Sequence, residues 1–378
     1  MITKATRRLV CCALALLALL LAACGSTAVQ TTADASIVGS MEIAYAEQFT
    51  VDFYDDGTSL LTIGGTDRYL LLPKGMAAPA HDTDAVILYT PTSRVYLAAS
   101  SAMDLLLQLD ALEQVRLTST SAANWALPEA AAALEDGSLL YAGKYSAPDF
   151  ELLLAEETDL AVESTMIYHS PDIKEKLEDL GIPVLVERSS YESHPLGRVE
   201  WIKVYGLLLG RREEAARFFD QQLETLASLS QEETTEKTVA FFHINSSGAA
   251  VVRKGGDYVS KMIELAGGRY AFAGLGGDDN ALSTVNMQME SFYAGAHDAD
   301  VLIYNSAIGG ELTTLDQLLS MSDLLADFKA VQTGSVWCTG QNVFQQSSAS
   351  AGMITDIHAI LTGEADASGS LRFFHRLT

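Results

Sequence analysis

Hydrophobic and polar positions change their rhythm several times along the chain. Leu9 to Leu21 is an unbroken apolar stretch behind Lys4, Arg7 and Arg8. It is shorter than the roughly 20 residues that span a bilayer. Small Ala22 and Ala23 then precede Cys24, the order of a secretory signal with a small-residue cleavage site. Small polar residues to position 40 follow and read as a flexible tether. From Ala44 to Pro73, short β-rich runs are broken at Asp56-Gly57 and Gly64-Gly65, which predicts an antiparallel hairpin ribbon. Ala85 to Tyr89 (AVILY) and Arg94 to Ala99 (RVYLAA) read as further strands.

Strands then alternate with helices. MDLLLQLDAL reads as a helix, FELLLAEETDLAVE as helix then strand, and IKEKLEDLGIPVLVE as helix, Gly181 stop and buried strand. Residues 195–229 differ. Val199, Ile202, Leu207, Ala216, Phe219, Leu223 and Leu226 recur at helical spacing, which predicts one helix of about 50 Å. Gly206 and Gly210 weaken its middle. Alternation resumes with TVAFFHI (strand), YVSKMIELAGG (helix), DADVLIYN and SVWCTG (strands), and closes on the helix SAGMITDIHAIL. The two α/β regions echo each other: Glu151 precedes Val162 as Glu290 precedes Val301, with Asp159 and Asp300 near the two strand starts.

Composition adds three constraints. With 48% hydrophobic and 19% charged residues, the 378-residue chain is globular and long enough for two domains. Removing residues 1–23, which hold three cations and no acid, takes the formal charge from −25 to −28. Such a surface repels nucleic acid and anionic headgroups, so no nucleic-acid partner is expected. Cys11 and Cys12 leave with the signal. Cys24 and Cys338 remain, and a lipid on Cys24 would leave no pair for an intramolecular disulfide.

The chemistry of the chain points away from turnover. It has no GxSxG, HExxH or Walker loop, and no GxGxxG after a strand. Gly274 to Asp279 is glycine-rich but follows a helix and reads as a loop. The seven histidines form no HxH or HxxxH pair, so direct metal binding would need His169, His194 and His243 to converge from separate loops.

Leu21-Ala22-Ala23-Cys24 resembles a bacterial lipobox. The resemblance implies diacylation of Cys24 and a chain anchored by lipid at the extracytoplasmic face of the cell membrane. RVYLAASSAMDLLLQLDALEQV, YAGKYSAPDFELLLAEETDLAVE, ESHPLGRVEWIKVYGLLLGRREEAARFF and YVSKMIELAGGRYAF, in that order, resemble the substrate-binding lipoproteins of ABC importers for ferric siderophores, haem and cobalamin. The resemblance implies an α/β fold of two Rossmann-like lobes joined by a long α-helix, here with an N-terminal β-hairpin. The divisions expected are a signal peptide (1–23), a tether (24–40), an N-terminal lobe (41–194), an interlobe helix (195–229) and a C-terminal lobe (237–378).

It further implies a monomer that captures a ferric siderophore in an interlobe cleft and hands it to an ABC permease, without catalysis and without a resident cofactor or metal. Loops at strand ends form such clefts, which nominates Ser101, Tyr145, Tyr168, Arg188, Arg198, Arg253 and Trp337 as ligand contacts. Aromatic faces and arginines suit an anionic chelate with apolar edges. The resemblance places permease-docking acids at Asp104 and Glu264. Haem, a corrinoid or a bare metal ion as ligand, or a lipoprotein hydrolase, are the alternatives left open at this point.

The anchor has a direct test. Cys24→Ala should move the protein from the membrane fraction to the medium, read by fractionation and immunoblotting. Membrane retention equal to wild type would refute lipidation at Cys24.

Overall fold

A computed structural model describes residues 35–229, 234–276, 284–340, 343, 345–365 and 371–378. The signal segment and Cys24 lie outside the described residues. Among the described residues no helix is long and apolar enough to cross a membrane.

Residues 36–378 form one compact unit containing three main sheets. The expected hairpin is the middle of a larger sheet. Strands β1 (Ile37–Ser40), β2 (Phe49–Tyr54), β3 (Ser59–Ile63) and β4 (Asp67–Pro73) run as an antiparallel meander, and β5 (Val86–Thr90) adds parallel to β4. Gly57, Gly64 and Gly65 take positive φ at the turns, as tight hairpins require.

The N-terminal lobe follows. Its sheet holds β6 (Val95–Leu97), β7 (Val115–Thr118) and β8 (Leu140–Tyr141). After a small hairpin of β9 (Gly143–Lys144) and β10 (Ala147–Pro148) come β11 (Leu160–Ser164) and β12 (Val184–Glu187). The order β12-β11-β6-β7-β8 is parallel throughout. Both faces are covered, so β6 and β12 are buried at every residue, as parallel sheets demand.

The C-terminal lobe is mixed. Its sheet comprises β13 (Thr238–Ile244), β14 (Ala250–Arg253), β15 (Arg269–Tyr270), β16 (Thr284–Met287), β17 (Val301–Tyr304), β18 (Val336–Thr339) and β19 (Phe374–Arg376). Strands β13, β17 and β18 are parallel neighbours, β14 and β19 pair antiparallel on their two sides, and β16 pairs antiparallel with β14.

The echo between the two halves has a structural counterpart. In each half an aspartate one residue before the central strand turns back to the neighbouring strand. Asp159 donates its N–H to the Arg94 carbonyl and accepts from the N–H groups of Ser93 (2.8 Å) and Arg94 (3.0 Å). Asp300 donates to the Thr238 carbonyl and accepts from the Thr238 N–H (2.8 Å). The same short side chain fixes the parallel register twice.

The single helix expected over 195–229 is instead three segments, Pro195–Glu200, Ile202–Leu209 and Arg212–Leu229. Gly210 ends the second in the left-handed conformation (φ 71°), and the Arg211 N–H closes on the Gly206 carbonyl at 2.7 Å. A β-carbon on Gly206 would stand 2.6 Å from that of Ala215, so the third segment folds back closely against the second. The 18-residue Arg212–Leu229 helix is therefore the long one, about 27 Å at 1.5 Å per residue.

These linking segments also hold the first sheet. Trp201, fully buried, stacks edge-on against Phe49 of β2 at 5.3 Å. Glu200 accepts from the backbone N–H groups of Ala44, Tyr45 and Ala46 at 2.7–2.9 Å and from Lys203 Nζ at 2.7 Å. Glu192 accepts from the N–H groups of Glu47 (2.7 Å) and Gln48 (3.1 Å) and from Trp201 Nε1 (2.8 Å). Both glutamates are buried, so five consecutive peptide N–H groups are satisfied by two carboxylates rather than by water. Tyr45 stacks on His194 at 4.5 Å, and burial lowers that imidazole's pKa to about 4, which keeps it neutral. Gly197 lets the loop approach, since a β-carbon there would stand 2.9 Å from the Tyr45 carbonyl oxygen.

One buried acid has no such partners. Glu163 on β11 is fully buried, and neither carboxyl oxygen has a hydrogen-bond partner. It shares its sheet face with Tyr96 and Ala161, over an apolar cluster that includes Ile167, Leu177 and Val186. Burial pushes its pKa up to about 8, so it is a neutral acid at pH 7.

Two outcomes follow. Glu200→Ala strands three buried N–H donors and should cost about 3 kcal/mol, read as a lowered urea midpoint, with Glu200→Gln costing less because its oxygen still accepts. Glu163→Gln should act in the opposite sense and with pH. The folded carboxyl holds its proton up to about 8, whereas the unfolded one releases it near about 4.3. The stabilisation is therefore present below the unfolded pKa and lost as pH rises towards the folded one. Denaturation curves of wild type and Glu163→Gln should nearly coincide at pH 4, and the variant should be more stable by on the order of 3 kcal/mol at pH 7. A difference independent of pH would refute the neutral buried acid.

Candidate functional site

Loops that follow strands of both lobes meet to line one cleft. From the N-terminal lobe, β7 runs into the loop that carries Asn124, Trp125 and Ala126. From the C-terminal lobe, β17 ends at Asn305, whose side chain caps the short Ser306–Gly309 helix by accepting from the Ala307 N–H at 3.1 Å. The floor there is fixed by Thr339 at the end of β18. Its Oγ1 accepts from the Ser306 N–H and lies 2.9 Å from Ser306 Oγ, which in turn donates to the Gly340 carbonyl.

Between these loops lies a cavity of about 450 Å³, walled by Asn124, Trp125 and Ala126 on one side and Ser306, Ile308 and Gln345 on the other. Trp125 is a buried residue of the N-terminal core, 8% exposed, that reaches the cavity wall, and its Nε1 donates to the Thr120 carbonyl (3.1 Å). Ile308 is 69% exposed, an apolar side chain held out into the cleft. A second cavity, also about 450 Å³, shares Ala126 and is lined by Glu311, Gly340, Arg372, Phe373 and His375. Arg372 is exposed and supplies a cation, while His375 Nε2 lies 2.6 Å from the Leu312 carbonyl and faces Glu311 through Nδ1.

Three further ties join the lobes near this cleft. Ser347 Oγ donates to the Ser101 carbonyl (2.8 Å), Ser348 N–H donates to the Asp104 carboxylate (2.7 Å), and Gln345 bonds the backbone at Asn124 and Ala126. Arg198, on the first linking helix, lies over the Tyr258 ring of the C-terminal lobe at 4.2 Å.

The residues nominated from sequence fall elsewhere than expected. None of the seven ligand candidates lines the cleft at Trp125 and Ile308. Ser101 serves the lobe interface through its carbonyl. Tyr145 belongs to the β9–β10 hairpin and packs on the N-terminal lobe core, and Tyr168 is exposed on a 3₁₀ turn after β11. Arg188 is taken up by the first sheet: its Nε donates to Gln48, its guanidinium lies over Tyr191, and it sits against Gly64. Arg253 is paired with the fully buried Asp257 carboxylate at 3.4 Å. Trp337 is buried inside the C-terminal sheet on β18, beneath Arg376. Arg198 lines a small enclosed apolar cavity with Phe241, Tyr258 and Met353 rather than the open cleft.

The acids divide. Asp104 is 4% exposed and committed to Ser348, and burial raises its carboxyl pKa, so it is not a rim charge. Glu264 is exposed and pairs with Lys261 on its own helix at 3.0 Å. Among the described residues no three His, Cys, Asp or Glu side chains converge on a metal position. His194 caps the Pro195–Glu200 helix instead, accepting from the Leu196 N–H, and His243 is buried in β13.

The strand-end rule directed attention to loops at the strand ends of both lobes. It passed over Asn305–Gly310, Gln345 and Arg372, whose only sequence signal is position just after a buried strand or just before the closing helix or strand.

Comparison with known proteins agrees with this geometry. A family model described as "Periplasmic binding protein" matches residues 96–343, which is more than half of the chain. Two uncharacterized lipoproteins of Methanocaldococcus jannaschii are similar in sequence. One is 25% identical over 66% of this chain, and the chain spans 59% of that relative's length. The other is 26% identical over 90% of this chain and 88% of its own. Among solved structures, a periplasmic binding protein from Veillonella parvula has a TM-score of 0.61 at 16% identity, covering 81% of this chain and 98% of that one. The periplasmic haem-binding protein HutB of Vibrio cholerae has a TM-score of 0.57 at 19% identity, covering 70% and 97%. An ABC-type Fe3+-hydroxamate transport protein from Saccharomonospora viridis has a TM-score of 0.53 at 18% identity, covering 71% and 93%. At these identities the structures speak for the fold, and together with the family match and the interlobe cleft they lead to one assignment: the chain belongs to the periplasmic binding protein family.

Proposed function

We propose that this protein is a lipid-anchored, extracytoplasmic solute-binding protein that captures a ferric siderophore in its interlobe cleft and delivers it to an ABC permease. The observation that carries this reading is the cleft itself. It draws Trp125 from one lobe and Ile308 from the other to wall about 450 Å³, with Arg372 and a second cavity beside it. Apolar side chains flanked by one exposed guanidinium suit a chelate with apolar edges and residual negative charge. The cysteine at the end of the apolar leader, and the lipoprotein names of the two sequence relatives, support the anchor. Glu264 is the exposed acid available to meet a cationic permease loop, whereas burial withdraws Asp104 from that role.

Tryptophan fluorescence of the full chain, titrated with a catecholate and a hydroxamate ferric siderophore, haemin and cobalamin, tests the reading. One ferric siderophore should quench saturably with submicromolar affinity, and Trp125→Phe should remove most of the signal. Arg372→Ala should weaken an anionic ferric catecholate by about tenfold and a neutral ferric hydroxamate little, because only the former loses a charge-assisted contact. Saturable binding of haemin or cobalamin instead would overturn the siderophore assignment. Silence across the panel would overturn solute capture of this class.

A further inference from the structure

The cleft contains a bridge that a cavity for a large ligand should not need. Gln345, from the C-terminal lobe, bonds the N-terminal lobe through both ends of its side-chain amide. Its Nε2 donates to the Asn124 carbonyl at 2.8 Å, and its Oε1 accepts from the Ala126 N–H at 2.7 Å. The primary amide thus pairs with a backbone segment much as a neighbouring strand would, and both contacts have short, direct geometry.

The position of the bridge gives it meaning. Gln345 walls the cavity that holds Trp125 and Ile308. Ala126, whose N–H it holds, lines both that cavity and the one bearing Arg372. On the opposite wall the chain neighbours Gly310 and Glu311 belong to one cavity each. The two chambers therefore adjoin at Ala126, the residue the amide holds, while Gln345 itself lines only the chamber of Trp125, and a solute small enough for one chamber leaves the bridge intact. A solute that touches Trp125 and Arg372 together must displace it.

The neighbouring ties are of a different kind. Ser347 and Ser348 hold the N-terminal lobe at Ser101 and at the buried Asp104, away from the two chambers. They fasten the lobes, and among the described residues of this segment Gln345 is the tie that also walls the solute space.

From this arrangement, and resting on the solute-capture reading above, we propose that Gln345 is a specificity gate: its amide clasp divides the cleft and slows entry of solutes that need both chambers. Each hydrogen bond of this type is worth about 0.5–1.5 kcal/mol net, so losing both should favour the undivided cleft by roughly 5- to 150-fold. The effect falls on association rate for large solutes and leaves small ones unchanged.

Two variants separate the gate from simple damage. Gln345→Ala removes both bonds. Gln345→Glu keeps the size and the acceptor for the Ala126 N–H but sets a carboxylate against the Asn124 carbonyl. Both should retain the wild-type circular dichroism spectrum. Stopped-flow quenching of the full chain is then followed with haemin and ferrioxamine B as large probes and ferric citrate as a small one. Any large probe that binds wild type should associate about tenfold faster with both variants, and ferric citrate should not be accelerated by either. Equal association rates for a large probe in wild type and variants would overturn the gate, as would an equal acceleration of ferric citrate. Hydrogen exchange supplies a readout independent of any solute. The amides of the loop at 121–126 should exchange about tenfold faster in both variants, while the Ser348 amide, held by Asp104, stays protected. Unchanged exchange in that loop would overturn the clasp even if no probe bound, and binding failure with accelerated exchange would overturn the solute-capture reading alone.

Discussion

Two buried carboxylates set the frame of this molecule. Glu192 and Glu200, eight residues apart on the linking segment, take up the N–H groups of residues 44–48. That loop joins β1 to β2 of the first antiparallel sheet, and the acids that hold it lead into the three linking helices. A stretch of extended backbone pressed against helices would ordinarily leave buried donors without partners, each costing about 1–3 kcal/mol. Here the donors of the loop become the partners that make two buried charges tolerable. Sheet, linker and N-terminal lobe consequently share a continuous apolar core, from Phe49 and Leu61 through Leu97 to Trp201 and Tyr205.

Because that frame is rigid, the charges near it are spent on architecture. Arg188 serves the first sheet, Arg253 neutralises Asp257, and Arg198 spans from linker to C-terminal lobe over Tyr258. In a chain of formal charge −25, a cation inside a cleft is informative only when no structural acid claims it. Arg372 comes nearest to that condition at the edge of the cleft: it is exposed and its ring partner is the adjacent Phe373, although its charge also acts on Asp104 and Asp356. The candidate cleft is thus lined mostly by backbone ends with Trp125, Ile308 and Arg372 among its side chains, a composition that suits the bulky chelate proposed above better than a bare ion.

Much of the fold was legible from the sequence, and the reason is periodicity. TVAFFHI is β13 residue for residue, and SVWCTG and DADVLIYN contain β18 and β17, because fully buried parallel strands leave short continuous apolar runs. Asp159 and Asp300 were visible as an echo before their shared backbone contacts were known. The linker was misread as one helix because hydrophobic spacing survives a tight turn. What breaks it is Gly210, whose left-handed conformation carries no hydrophobic signature. The site was the least legible part. Trp337 looked like a strand-end aromatic and is a core residue, while Asp104 looked like a helix-face acid and is buried against the other lobe. Neither error could be seen along one dimension, since each depends on what a distant segment places opposite the side chain. Gln345 meets Asn124 across 221 residues, and nothing near either residue in the sequence announces it.

The central claim is that solute is held between the lobes, at the loop of Trp125 and the loop of Ile308. Backbone amide NMR of the isotopically labelled protein, titrated with a diamagnetic gallium siderophore in place of the ferric one, tests it most directly. The largest shifts should fall on residues 123–126, 306–311 and 345, with β1–β5 unmoved. Shifts centred on the first sheet, or on the nominated set around Tyr168 and Arg188, would contradict it.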